Sequence, residues 1–133
     1  MISQQLLGWY SHNKRILPWR ETKNPYKIWI SEIMLQQTQV ATVIPYYERW
    51  MKSFPNIEAL AKADYDYVLK HWEGLGYYSR CKNIHATAKS LNGKLPETFN
   101  ELIKLPGIGE YTAKTILAIA YNKQEVGVDT NLE

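Results

Sequence analysis

Apolar residues recur every three or four positions along most of this 133-residue chain, a spacing typical of α-helices. No segment shows the strict alternation of apolar and polar residues that predicts a β-strand. The pattern therefore predicts an all-α fold. The predicted helices span 2–12, 26–35, 38–52, a short segment beginning at Ile57, 65–73, 77–91, 98–104 and 110–121.

Cap residues and prolines set the expected helix boundaries. Asn56 and Asp64 are predicted to cap the helices that follow them, because short polar side chains accept hydrogen bonds from N-terminal amides. Pro45 predicts a kink within its helix. Segment 17–20 is predicted to be extended, because Pro18 disfavours helical angles in the residue before it.

Composition adds constraints to the helical pattern. The length suits one compact domain with its own hydrophobic core. A single cysteine, Cys81, allows neither an intrachain disulfide nor an all-cysteine metal or iron–sulfur site in this chain, so we expect an intracellular protein with no metal site here. No apolar run approaches about 18 residues, so no membrane span or membrane partner is predicted.

Charge and aromatic content suggest a phosphate-rich partner. The net charge is +3, and aromatic residues make up 13% of the chain, with ten Tyr and five Trp against two Phe. Basic residues are concentrated in segments 12–30 and 74–96, which also carry Tyr or Trp. Such stretches are typical of nucleic-acid-binding surfaces. A solvated, mixed-sign surface explains the charge equally well.

Two glycine turns share the form Gly-apolar-Gly-x-Tyr-Ser/Thr, at 74–79 and 107–112, and each opens a predicted helix. Residues 101–113 predict a short helix, a tight turn and a second helix. Glycines in such a turn permit positive φ and leave room for a ligand. The backbone amides there can converge on a phosphate oxygen. The alternative is an ordinary turn between helices with glycine at the cap.

Segments 17–20, 25–40 and 74–78 closely resemble the MutY family of adenine DNA glycosylases. Residues 101–113 and 128–131 are similar to the wider helix–hairpin–helix, Gly-Pro-Asp superfamily of base-excision glycosylases, which includes endonuclease III. The match runs along almost the whole chain. The resemblance implies an endonuclease III-like six-helix barrel module with a helix–hairpin–helix motif.

The resemblance also implies a reaction in DNA base-excision repair. A monofunctional glycosylase would flip adenine, mispaired with 8-oxoguanine or guanine, out of the duplex and hydrolyse its N-glycosidic bond. The implied partner is double-stranded DNA carrying such a mismatch, and the implied location is the bacterial cytoplasm, at the nucleoid. The alternatives are a T:G or U:G mismatch glycosylase, an endonuclease III-like lyase, and a non-catalytic helix–hairpin–helix DNA-binding module.

Four catalytic residues follow from the resemblance. Glu32 matches the general acid, and its apolar predicted helix would raise the pKa of a carboxyl group; a solvent-facing Glu is the alternative. Asp129 matches the carboxylate that stabilises the sugar cation, supported by Asn131, although the residues alone also suit a capped turn. Tyr111 stands where bifunctional relatives carry a Schiff-base lysine, so lyase chemistry is not expected.

Further residues match the family's DNA contacts. Gln36, Gln37 and Thr38 match the edge that reads the damaged base, with Gln37 as a wedge. Tyr77, next to Leu75, matches the intercalating tyrosine; a core aromatic at a helix start is the alternative. The hairpin contacts would be Leu105, Gly107 and Gly109. The adenine pocket would be lined by Arg15, Leu17, Trp19 and Arg20, although core packing also accounts for Trp19. The remaining aromatics are expected in the core.

The chain departs from the family in two respects. The family's four cluster cysteines are not in this sequence, so no cofactor is expected in this chain, and a [4Fe-4S] cluster is expected in the full-length parent. We therefore expect 1–133 to be a single truncated catalytic module of weak activity. Residues 1–20 would form an N-terminal helix and the pocket segment, and 21–133 the barrel with its hairpin at 105–109.

The second departure is at Thr130, where many family members carry a glycine. The threonine is similar to endonuclease III relatives. The oligomeric state stays open.

Overall fold

The computed structural model describes residues 23–121, and this part of the chain is helical, with no strand. The all-α prediction is therefore confirmed. None of the helices described there combines the length and the apolar character needed to cross a bilayer. The helices are α1 Pro25–Leu35, α2 Val40–Ser53, α3 Ile57–Lys62, α4 Tyr65–Trp72, α5 Tyr78–Ser90, α6 Phe99–Leu102 and α7 Glu110–Ala120.

Side-chain caps begin several of these helices. Asn24 Oδ1 accepts a hydrogen bond from the amide of Tyr26 at 2.9 Å. Asn56 Oδ1 accepts one from the amide of Ala59 at 2.8 Å, which confirms the predicted cap. Asp64 occupies the N-cap position of α4, but its side chain accepts no capping hydrogen bond. That prediction was right about the boundary and wrong about the interaction.

Several helix boundaries differ from the prediction. Helix α2 begins at Val40 rather than at 38, because Gln39 is extended, with φ −73° and ψ 149°, and occupies the N-cap position; Gln37, two residues earlier, is left-handed with φ +60°. Helix α5 begins at Tyr78, because Tyr77 is also left-handed, with φ +51°. Helix α6 ends at Leu102, short of the predicted 104. The shifted starts of α2 and α5 both lie beside a predicted DNA contact, Gln37 in one case and Tyr77 in the other.

The helices pack around a core rich in tryptophan. Helix α1 packs against α2 and α7, α5 packs against α3 and α4, α2 contacts α4, and α6 contacts α7. Trp50 is fully buried and meets the rings of Phe54 and Trp72 edge-on, at centroid distances of 5.0 and 5.8 Å. Its Nε1 donates a hydrogen bond to Tyr26 Oη at 3.0 Å. Part of the Tyr and Trp surplus therefore lies in the core, as expected.

Candidate active site and nucleic-acid interface

Glu32 lies on α1, between the buried residues Ser31 and Ile33, and is itself partly buried. Removal from water disfavours the ionised carboxylate, and burial raises the pKa of Glu32 from its usual 4.5 to about 7. A carboxyl group with such a pKa is protonated in a substantial fraction of molecules at neutral pH. It can therefore donate a proton to a reacting group. The solvent-facing alternative does not describe this residue.

Residues 36–38, the glutamine loop, follow the end of α1, and Gln36 lies one helical turn beyond Glu32. Gln36 Nε2 donates a hydrogen bond to Thr112 Oγ1 on α7 at 3.4 Å. Thr38 Oγ1 donates to the carbonyl oxygen of Gln36, also at 3.4 Å. Gln37 is exposed and left-handed. The glutamine loop is therefore tied to α7 while Gln37 remains open to a ligand.

Residues 74–77, the tyrosine turn, precede α5. Leu75 is buried, with 6% of its surface exposed, whereas Tyr77 is 57% exposed. The leucine therefore anchors the turn in the core and the tyrosine ring stays outside. The alternative of a core aromatic at Tyr77 is wrong. The resemblance placed both residues at a DNA contact, and only Tyr77 is accessible to one.

Aromatic side chains donate hydrogen bonds to the backbone of the tyrosine turn and of the residue before it. Trp72 Nε1 donates to the carbonyl oxygen of Gly76 at 2.9 Å, and Tyr46 Oη donates to that of Glu73 at 2.8 Å. Gly74 has φ +102°, and a Cβ there would lie 2.0 Å from Tyr46 Oη. Tyr46 was expected in the core, but it is only partly buried and braces this turn. No local pattern distinguishes such a residue.

Residues 105–109, the hairpin turn, connect α6 to α7. Ile108 is 3% exposed and anchors the turn as Leu75 anchors the tyrosine turn. Gly107 has φ +80°, and a Cβ there would lie 2.9 Å from Asn83 Cβ on α5. Gly109 has φ −89°, and a Cβ there would meet no atom of residues 23–121 within 4 Å. The protein itself therefore requires a glycine at 107 but not at 109.

The residues on either side of the hairpin turn differ in exposure. Tyr111, in the first turn of α7, is 39% exposed. A phenol there cannot form an imine with a sugar aldehyde. Leu105, predicted as a DNA contact, is partly buried and packs against the hydrophobic core. Leu105 therefore supports the hairpin turn from its core side.

Helix α5 connects these three segments. Thr87 Oγ1 donates a hydrogen bond to the carbonyl oxygen of Pro106 in the hairpin turn at 2.8 Å. Arg80 Nη1 donates to the carbonyl oxygens of Ile33 and Gln36, at 2.5 and 2.6 Å. The sequence interpretation counted Arg80 only as part of a basic stretch. An arginine in the first turn of a helix carries no local signal that separates it from a surface cation.

Cys81 is a buried free thiol on α5. Burial raises its pKa to about 12, so it remains protonated and a poor metal ligand. Residues 23–121 contain no group of three or more His, Cys, Asp or Glu side chains that could hold a metal ion. The described residues therefore do not fit an iron–sulfur cluster.

Some of the predicted site lies outside residues 23–121. These predictions concern the proposed sugar-stabilising pair and the adenine pocket. The residues are Asp129, Asn131, Arg15, Leu17, Trp19 and Arg20.

Residues 30–133 match the HhH-GPD superfamily of base excision DNA repair proteins, and the chain belongs to this family. Within it, the chain is similar to curated adenine DNA glycosylases. That of Buchnera aphidicola subsp. Baizongia pistaciae is 52% identical, with 98% of this chain and 38% of the relative covered. The Homo sapiens protein is 44% identical, with 96% and 26% covered. The chain thus spans well under half the length of these relatives.

Solved structures share the fold. A thermostable thymine-DNA glycosylase superposes with a TM-score of 0.76 at 26% identity, covering 90% of this chain and 57% of that chain. Endonuclease III in a non-covalent DNA complex superposes with a TM-score of 0.71 at 22% identity, covering 99% and 66%. The predicted endonuclease III-like fold is confirmed.

Proposed function

We propose that this chain is the catalytic part of a DNA glycosylase that removes adenine paired with 8-oxoguanine or guanine. The observation that carries the proposal is Glu32, a partly buried carboxyl group with a pKa of about 7, one turn before the glutamine loop. The choice of adenine rests on 44–52% identity to curated adenine DNA glycosylases along nearly the whole chain.

The glutamine loop, the tyrosine turn and the hairpin turn are the proposed contacts to double-stranded DNA. Open space at Gly109 allows a phosphate to approach the backbone amides at the start of α7. The exposed ring of Tyr77 can fill the space left by a displaced base, and such stacking is worth about 1–3 kcal/mol per base. Gln37 would enter the stack beside it. These contacts would offset the free energy needed to flip the target nucleotide. The proposed location is the bacterial cytoplasm, at the nucleoid, where such a DNA substrate lies.

Cleavage of the N-glycosidic bond leaves negative charge on the departing adenine and positive charge on the sugar. Protonated Glu32 would give its proton to the base as the bond breaks, so that adenine leaves neutral. A water oxygen then bonds to the sugar C1′ and gives up a proton to the surrounding water. Asp129, held by Asn131, stays the predicted carboxylate for the sugar cation. Arg15, Leu17, Trp19 and Arg20 stay the predicted pocket.

The proposed reaction ends at the abasic site. Tyr111 occupies the hairpin position at which a bifunctional enzyme needs an amine, and a phenol forms no Schiff base. Strand cleavage through a covalent imine is therefore not part of the proposal. A [4Fe-4S] cluster stays an expectation for a longer parent protein, and no step here uses it.

A base-release assay tests the proposal. Duplexes with A:8-oxoguanine, A:G or T:G at one position are incubated with excess protein, and free bases are separated by chromatography. The expected result is adenine from the first two duplexes and no thymine from the third. Release of thymine would favour the second candidate, a T:G mismatch glycosylase, which the 26% identity and shared fold with a thymine-DNA glycosylase support. Tight binding without release of any base would favour a non-catalytic DNA-binding module.

A further inference from the structure

Arg80, in the first turn of α5, contacts the end of α1. Its Nη1 donates to the carbonyl oxygens of Ile33 and Gln36, at 2.5 and 2.6 Å. These carbonyls belong to the last turn and the C-cap of α1, and the last turn of α1 has no basic residue of its own. The Ile33 oxygen also accepts the amide of Gln36 at 3.2 Å, and the Gln36 oxygen also accepts from Thr38 Oγ1 at 3.4 Å. A cation there adds a charged donor to both carbonyls and interacts favourably with the negative end of the helix dipole. Arg80 therefore fixes the point where the glutamine loop leaves α1.

The same guanidinium group stacks on the tyrosine turn. Arg80 Cζ lies 5.1 Å from the ring centroid of Tyr77 and 5.4 Å from that of Trp72, within the range of cation–π contacts. Its Nε and Nη2 are buried and have no hydrogen-bond partner in the part of the chain that the structure describes. The aromatic faces therefore supply the favourable contact for that side of the guanidinium group.

Gln37 and Tyr77 share an unusual backbone conformation. Among residues 23–121 they are the two non-glycine residues with positive φ, at +60° and +51°. The left-handed region costs an L-residue about 1–2 kcal/mol. Such conformations persist where surrounding contacts hold them, and they are frequent at functional sites. Arg80 contacts both segments that carry them.

We propose that Arg80 is a positioning residue that couples the glutamine loop to the tyrosine turn, so that Gln37 and Tyr77 engage DNA as one unit. The proposal rests on the proposed function only in taking DNA as the ligand. Because one guanidinium group bonds the end of α1 and stacks on Tyr77, displacement of either segment changes the position of the other. A lysine keeps the charge but loses the planar donor group that makes both contacts.

A double-mutant cycle measures this coupling. The variants Gln37→Ala, Tyr77→Ala and their combination are made in the parent, R80K and R80M backgrounds. Their Kd for a duplex with adenine opposite 8-oxoguanine is measured by fluorescence anisotropy. We expect non-additivity of at least about fivefold in the parent, less in R80K, and additivity within about twofold in R80M. Additive effects in the parent, or equal non-additivity in all three backgrounds, would overturn the proposal.

A second measurement needs no DNA. In amide NMR spectra of the free protein, Tyr77→Ala should shift the resonance of Gln37 in the parent, less in R80K, and not in R80M. No shift in the parent contradicts the coupling, as does an equal shift in all three backgrounds. If R80M fails to fold, the comparison of the parent with R80K decides. A purely structural role for Arg80 would lower the melting temperature and leave the cycle and the shift unchanged.

Lys82 provides the control. It is exposed and lies two residues after Arg80 on α5, so K82M also removes a cation from this helix. This variant should keep the parent's non-additivity and the parent's shift at Gln37. Failure of the proposed function can be told apart from failure of the coupling. A protein that releases no adenine but shows the Arg80-dependent shift at Gln37 would contradict the glycosylase assignment and still support the coupling.

Discussion

The hydroxyl group of Tyr46 on α2 donates a hydrogen bond to the carbonyl oxygen of Glu73 at 2.8 Å, directly before the tyrosine turn. The same oxygen lies where a side chain at position 74 would begin. The turn that presents Tyr77 is thus supported from a helix that is distant in sequence. The exposed ring of Tyr77 depends on this support for its position.

Replacing Tyr46 with Phe removes that hydrogen bond and little else. We expect the free energy of unfolding to fall by about 1 kcal/mol, since a neutral hydrogen bond contributes about that much. We also expect DNA affinity to fall several-fold, because the turn is less well held. Thermal unfolding and fluorescence anisotropy measure the two effects. Y67F is the control, since Tyr67 is half-exposed and its ring contacts are to Phe54 and His71. Parent-like affinity in Y46F would show that the brace does not matter for binding.

Alanine substitutions at the two hairpin glycines should separate stability from binding. G107A should lower the free energy of unfolding by about 2 kcal/mol or more, because φ is +80° and Asn83 is too close. G109A should change stability by less than about 1 kcal/mol, since its φ is ordinary and the space is open. G109A should nevertheless weaken DNA binding at least about tenfold, because a methyl group would separate the backbone amides from a phosphate. Urea denaturation and anisotropy test both variants, and parent-like binding by G109A would rule out the phosphate contact.

The raised pKa of Glu32 predicts how stability depends on pH. Its value is about 7 in the folded protein against 4.5 without burial, so the folded state binds more protons between these values. The free energy of unfolding should therefore fall as the pH rises from about 4.5 to about 7, by up to about 3 kcal/mol. In E32Q this fall should be absent. Urea denaturation of the parent and E32Q between pH 5 and pH 8, with E48Q at an exposed glutamate as control, tests the prediction. Parallel curves for the parent and E32Q would contradict it.

The helices were predictable because their periodicity is local. Helix α1 contributes Trp29, Ile30 and Met34 to the core, and such apolar runs indicate a buried helix whatever packs against it. The apolar residues around Glu32 along this helix predicted its apolar setting. Its raised pKa follows from burial, which the composition of the helix already suggested.

The supports of the candidate site could not be predicted in this way. The bonds from Arg80 join residues 44 and 47 positions apart, and no spacing along the chain encodes them. The left-handed backbones of Gln37 and Tyr77 run against the preference of their residue types. Both residues lie beside contacts of Arg80, which bonds the carbonyl oxygen of Gln36 and stacks on the ring of Tyr77.

The most direct test of the central claim is the single-turnover rate of adenine release from an A:8-oxoguanine duplex, followed against pH in the parent and in E32Q. If Glu32 is the general acid, the parent rate falls as the pH rises through about 7, because the carboxyl group loses its proton. E32Q should then be at least about 100-fold slower while its DNA affinity stays within a few-fold of the parent. Adenine release by E32Q at the parent rate, or a parent rate that increases above pH 7, would contradict the account.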